Sequence, residues 1–100
     1  MKMVSLEEYQ RDALRTYPYE LMVSERRDFA AMKLVEESAE FMAIVSKAHY
    51  QGGKYDKERL KEELGDVLWA LTINLLEYGF SLDELLASNL AKRANRFPKK

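Results

Sequence analysis

Apolar residues recur along this chain at spacings of three and four, and no stretch alternates in the manner of a half-buried strand. The pattern predicts an all-α fold of four main helices with clear punctuation. Ser5 followed by Glu8 reads as a capping box, with Val4 and Tyr9 placed as the hydrophobic staple around it, so a first helix starts near Leu6 and Pro18 ends it. Ser24 is expected to cap a second helix that carries Glu25 in its first turn, continues to about Tyr50 and is stopped by Gly52 and Gly53. Asp56 caps a third, from about Lys57 to Tyr78, beyond which Gly79 suits the left-handed position past a helix end. Ser81 with Glu84 repeats the box and Phe80 with Leu85 the staple, giving a fourth helix to about Phe97, before Pro98.

The faces of these helices differ. In the second, Leu34, Phe41, Val45 and Ala48 form the apolar stripe; at ~100° per residue Glu37 falls at its edge and Glu40 further round. In the third, Leu60, Leu64, Val67, Leu68 and Leu71 make the main stripe, and Trp69, Ile73, Leu75 and Leu76 extend apolar character nearly all round its second half. A helix apolar on every side is buried on every side, and four helices do not readily surround one of their own. Part of the third helix is therefore expected to meet a second copy. The bundle then completes its core by oligomerisation, as a homodimer or homotetramer.

Composition adds bounds rather than identity. A length of 100 residues allows one domain, expected to span 1–100. Charged residues make up 33%, above the usual quarter, which points to exposed helix faces. A net charge of −1 supplies no global field for nucleic acid or an anionic membrane, so stable binding to either is not expected. There is no cysteine for a disulfide or thiolate site, no signal-like apolar run at the start and no stretch of membrane-spanning length, so the cytoplasm is the expected compartment.

The chemistry lies in two carboxylate pairs, Glu37 with Glu40 and Glu63 with Asp66. Residues three apart share a helix face, so two such helices side by side bring four acids to one spot. Clustered acids repel unless a cation lies between them, and Mg²⁺ takes oxygen ligands while holding substrate phosphates. An isolated Glu-x-x-Glu more often only solubilises a helix. His49, the one histidine, reads better as a helix-end residue than as a ligand. Trp69 reads better as packing than as a base platform, while Tyr9, Gln10, Tyr17 and Tyr50 remain open candidates for a base pocket.

The run Glu36-Glu37-Ser38-Ala39-Glu40, followed by Glu62-Glu63-Leu64-Gly65-Asp66-Val67-Leu68-Trp69, resembles the paired motifs of the MazG-like all-α nucleoside triphosphate pyrophosphohydrolases. Tyr9-Gln10, Gln51-Gly52, Asn89-Leu90-Ala91-Lys92 and Arg96-Phe97-Pro98 extend the likeness to the short single-domain members, from about Leu6 to Pro98. Ser38-Ala39 departs from it, since relatives commonly carry a glycine before the last glutamate of that run.

The resemblance implies hydrolysis of a (deoxy)nucleoside triphosphate to its monophosphate and pyrophosphate, with a role in nucleotide-pool control. It implies Mg²⁺, with Mn²⁺ as a substitute, held by Glu37, Glu40, Glu63 and Asp66. Glu36 and Glu37 take catalytic roles, Glu36 by binding a second ion or orienting the attacking water. Asn89, Lys92 and Arg96 on the last helix are expected to bind the phosphates, with Lys47 and Lys54 as further cations of the same kind; favourable charge near a helix C-terminus is the plain alternative for the first three. A non-catalytic helical dimerisation or partner-binding module that kept the fold is the competing expectation. A di-iron carboxylate bundle is disfavoured, because the Glu-x-x-His motifs it needs are missing.

Overall fold

The computed structural model describes residues 2–99, so the expected domain limits Met1 and Lys100 lie outside the described residues. Those residues form α1 (Leu6–Arg15), α2 (Val23–Tyr50), α3 (Lys57–Glu77) and α4 (Leu82–Arg96), and no strand occurs among them. Three helix starts follow the sequence chemistry. Ser5 Oγ accepts from the Glu8 amide at 3.0 Å, Asp56 Oδ1 from the Arg59 amide at 3.2 Å and Ser81 Oγ from the Glu84 amide at 3.1 Å, each satisfying an orphan donor of the first turn. The ends of α2 and α3 close around glycines in the left-handed region. With Gly52 at φ +79°, the Gly53 amide reaches back to the Ala48 carbonyl; with Gly79 at φ +76°, the Phe80 amide bonds the Leu75 carbonyl and the Gly79 amide that of Leu76.

The start of α2 departs from expectation. Ser24 is not its cap: the helix begins at Val23 behind an extended Met22, with no side-chain cap, and Ser24 lies inside the first turn. Tertiary contacts fix this start. The turn after Pro18, closed by the Leu21 amide on the Pro18 carbonyl, delivers Arg26 and Arg27 to Glu77 at the far end of α3.

Antiparallel packing of α2 on α3 carries most of the fold, with α1 laid across α3 and α4. Toward the Glu77 end of this pair Ala30 and Ala70 are fully buried, small enough for close helix approach, and Asn74 Nδ2 donates to both the Ala30 and the Ala70 carbonyl at 2.7 Å. Tyr17, Ala30 and Ile73 form the buried cluster, with Phe29 and Trp69 against it. Trp69 Nε1 donates to Thr16 Oγ1 at 3.1 Å, and Gln10 Oε1 accepts from the Leu82 amide at 2.7 Å, tying α1 to α3 and α4.

The expectation for the apolar second half of α3 is corrected here. Ile73 and Leu75 are buried and Trp69 is half-buried within this one chain, because α1 and the segment around Tyr17 cover that half. On α3 itself the exposed large apolar residues are Leu64 and Leu68, both in the main stripe. Met32, Val35 and Met42 of α2 and Leu86 and Leu90 of α4 are exposed as well. The chain exposes 8080 Å², against about 5,900 Å² for a compact monomer of its mass. Its radius of gyration is 16.2 Å, where roughly 13 Å suits a compact domain of this length. No helix among the described residues is long and apolar enough to cross a membrane.

Glu77 anchors the end of the hairpin opposite the α2–α3 loop. Its side chain is only 3% exposed, Tyr17 Oη donates to its Oε2, and Arg26 and Arg27 stand at 3.4 and 3.7 Å. The Tyr17 hydrogen bond and the two guanidiniums hold its carboxyl below the ordinary value of 4.5 in spite of burial, while burial, and then the same contact, push the Tyr17 hydroxyl well up. A folded value below the unfolded one means stability that is fully present above pH 4.5 and lost as pH falls through the folded value. Glu77→Gln is therefore expected to be less stable than wild type at neutral pH, with the gap in thermal midpoint narrowing below the ordinary carboxylate range. A gap that stays constant with pH contradicts the role of Glu77.

Candidate metal centre

One level of the α2–α3 pair is acidic on both sides. Glu37 and Glu40 stand on one face of α2, Glu63 and Asp66 on one face of α3, and the antiparallel register that sets Ala30 beside Asn74 also sets these pairs opposite each other. Glu37, Glu63 and Asp66 each offer a carboxylate oxygen within 4.8 Å of the others. A second triplet, Glu36, Glu37 and Glu40, meets the same limit, so Glu37 belongs to both. Glu40 is close enough to share a hydrogen bond with Glu37 or with Glu63 when one of them is protonated. The four acids expected as ligands are thus gathered. Glu36 meets Glu37 and Glu40 alone, and its Oε1 pairs with Lys33 at 3.3 Å.

The electrostatics of the cluster are unfavourable as it stands. Glu37 is 9% exposed, and burial, then Glu40, then Asp66 push its carboxyl up, with Lys33 opposing. Glu63 is likewise raised, by burial and then by Glu40 and Asp66, with Arg59 opposing. Glu37 Oε2 and Glu63 Oε2 are buried without any hydrogen-bond partner. Buried acceptors are nearly always satisfied, and two orphans on acids whose carboxylates meet within 4.8 Å fit a hard divalent cation, whose ligands are carboxylate oxygens.

Toward the α2–α3 loop the acids open into a groove of about 600 Å³, lined by Glu40, Ile44, Lys47, Gln51, Lys54, Arg59 and Glu63 among others. Lys47 and Lys54 therefore lie beside the acids, as expected. Asn89, Lys92 and Arg96 do not. They are exposed on α4, which packs on α1, and none lines the groove of its own chain. Of the base-pocket candidates, Tyr17 is spent in the core with Glu77 and Gln10 in holding the start of α4. Tyr50 is exposed at the end of α2 with the edge of His49 against it. Tyr9 lines a separate hollow on α1 with Glu8, Arg11, Asp12 and Arg15 rather than the groove, and burial, then the charges of Asp12 and Asp66, raise its hydroxyl. Sequence reasoning missed Arg59, although its place four residues before Glu63 puts it on the same face of α3.

Glu63→Gln removes one of the crowded charges. It is expected to raise the thermal midpoint of the metal-free protein and to weaken the stabilisation gained on adding Mg²⁺, by at least the roughly tenfold loss of affinity that even an outer-sphere change brings. Calorimetric melting with and without Mg²⁺ checks both; an unchanged Mg²⁺ effect removes Glu63 from the ligand set.

No curated protein and no solved structure matches the chain. The family model described as the MazG nucleotide pyrophosphohydrolase domain matches residues 28–100, from the first half of α2 onward, and so contains both acid pairs while leaving α1 outside. With that match over most of its length, on an all-helical fold whose acids meet at one point, the chain belongs to the MazG nucleotide pyrophosphohydrolase domain family.

Proposed function

We propose that the protein is a cytoplasmic hydrolase that converts a nucleoside or deoxynucleoside triphosphate and water into the monophosphate and pyrophosphate, with Mg²⁺ as the ion and Mn²⁺ able to replace it, and that it serves nucleotide-pool control. The observation that carries this is the pair of buried, unpartnered oxygens of Glu37 and Glu63 within a carboxylate cluster beside a cation-lined groove. A scaffold that kept only the fold has no use for an acid cluster that costs stability, so the non-catalytic alternative has no feature in its favour. Glu37, Glu40, Glu63 and Asp66 would hold the ion, which when bound neutralises charge on the phosphate oxygens. The chain does the rest. Glu36, exposed at the rim of the cluster, accepts a hydrogen bond from the attacking water and orients it, while the groove cations fix the phosphates.

Assembly belongs to the same proposal. The excess of exposed surface over a compact monomer, about 2,200 Å², is of the size that an obligate oligomer covers. Gly65 adds to this: in mid-helix it costs roughly 0.5–1 kcal/mol relative to alanine, yet nothing in its own chain lies within 4 Å of where a Cβ would be. Flanked by exposed Leu64 and Leu68, it suits close approach by a second copy. In such a homodimer or homotetramer, Asn89, Lys92 and Arg96 of one copy reach the groove of another.

Two tests follow. Incubated with a panel of common, oxidised and methylated triphosphates and Mg²⁺, the protein is expected to release equal amounts of monophosphate and pyrophosphate, and Asp66→Asn to lose at least ~100-fold in turnover, the order of a missing transition-state contact, while keeping its helical circular dichroism. Wild-type turnover in Asp66→Asn refutes the site. Sedimentation at micromolar concentration is expected to give a dimer or tetramer, and Leu64→Glu combined with Leu68→Glu a monomer; a wild-type monomer refutes the assembly.

A further inference from the structure

The groove has a polarity that the acid cluster alone does not. Along α2, from the acids toward the loop, Glu40, Ile44, Lys47 and Gln51 follow one helix face, and Lys47 lies ~10 Å beyond Glu40 at the rise of an α-helix. Along α3 in the same direction, Glu63 is followed by Arg59, ~6 Å nearer the loop, and the loop itself contributes Lys54. Glu40 and Glu63 thus occupy one end of the groove and Lys47, Lys54 and Arg59 the other, where the single carboxylate, Asp56, accepts the Arg59 backbone amide and is outnumbered by the three cations. None of these three cations forms an ion pair among the described residues, whereas Arg15, Arg26, Arg27, Lys33 and Lys61 all do. Arg59 is held at the mouth of the groove because its backbone amide is fixed by the Asp56 cap, and it is near enough to Glu63 for its charge to be felt there.

We infer that Arg59, together with Lys47 and Lys54, forms an anion subsite that holds the two terminal phosphates of the substrate and, after cleavage, the pyrophosphate product. The inference rests on the hydrolase proposal and adds a direction to it. The terminal phosphates lie toward the loop of residues 51–56, and the nucleoside lies at the opposite end, beyond the acids. Arg59 is the anchor of the subsite, because its planar guanidinium can donate two parallel hydrogen bonds to one phosphate, whereas each lysine acts as a point charge. Pyrophosphate therefore leaves past the loop, without crossing the nucleoside end.

The experiment is calorimetric titration of the full chain with inorganic pyrophosphate in the presence of Mg²⁺, alongside steady-state kinetics on the triphosphate that the wild type hydrolyses. Arg59→Ala is expected to weaken pyrophosphate binding about tenfold, the loss of one charge-assisted contact. Arg59→Lys recovers part of that loss. Monophosphate binding and direct Mg²⁺ binding stay as in wild type, and the kinetic loss falls on KM more than on kcat. Lys61→Ala, two residues along α3 and paired with exposed Glu58, is the surface-charge control. Pyrophosphate affinity unchanged in Arg59→Ala, or lowered equally in Lys61→Ala, overturns the subsite and leaves the hydrolase intact. Binding of pyrophosphate through Arg59 by a protein that cleaves no nucleotide overturns the hydrolase and leaves the subsite. A wild type that neither binds pyrophosphate nor cleaves any nucleotide overturns both.

Discussion

Like charge held at close range between two packed helices is the constraint on which the rest of the structure depends. Glu37, Glu40, Glu63 and Asp66 repel one another, and the α2–α3 pair stays closed because its packing elsewhere is tight. The fully buried Ala30 and Ala70 let the backbones approach, Ile73 fills the space beside them, and Asn74 bridges both helices by donating to two carbonyls. The contact lies more than a turn from the acids, so it can fix their geometry without neutralising them. The arrangement is a stiff frame that positions an unfavourable cluster, which is what a site awaiting an external cation requires.

The same chain shows what an internally compensated acid looks like. Glu77 is as deeply placed as Glu37, yet it has a tyrosine hydroxyl and two guanidiniums around it, and its carboxyl is held below the ordinary range. Glu37 and Glu63 have mainly other acids around them and shift the other way. One end of the hairpin has therefore been given its cations by the fold and the middle has not. Lys33 and Arg59, the cations nearest the cluster, lie at its edges and leave Glu37 Oε2 and Glu63 Oε2 without a partner. The contrast within a single small protein removes the simplest objection, that unpaired buried carboxylates are merely what a highly charged helical chain tolerates.

Local chemistry was the legible part of the sequence. The Ser5, Asp56 and Ser81 caps and the glycine-closed ends of α2 and α3 depend on a few adjacent residues, and each is where the spacing puts it. The acid pairs were legible for the same reason, because three-residue spacing on a helix is a statement about one face. Ser24 was misread because the start of α2 is decided by Arg26 and Arg27 reaching a residue some fifty positions away, against which a local cap counts for little. The second half of α3 looked bound for another subunit because a helical wheel does not show that α1 and Tyr17 fold back over it. Glu77 and Asn74 carry no local signature at all; their importance comes from the register of two helices.

Where the cations stand relative to the acids sets what assembly must do. Lys47, Lys54 and Arg59 share a groove with Glu40 and Glu63 inside one chain, so positive charge stands beside the acids without any partner. Asn89, Lys92 and Arg96 ride on a helix that touches the rest of the chain mainly through α1 and leaves most of its length, including Leu86 and Leu90, in solvent. A helix so placed gains burial only from something outside the chain, and under the proposed assembly its cations would meet a groove only in the same event. The two sets of positive charge thus carry different requirements. The first depends on the α2–α3 pair alone, and under the proposed assembly the second would complete the donors around a groove only when α4 is covered.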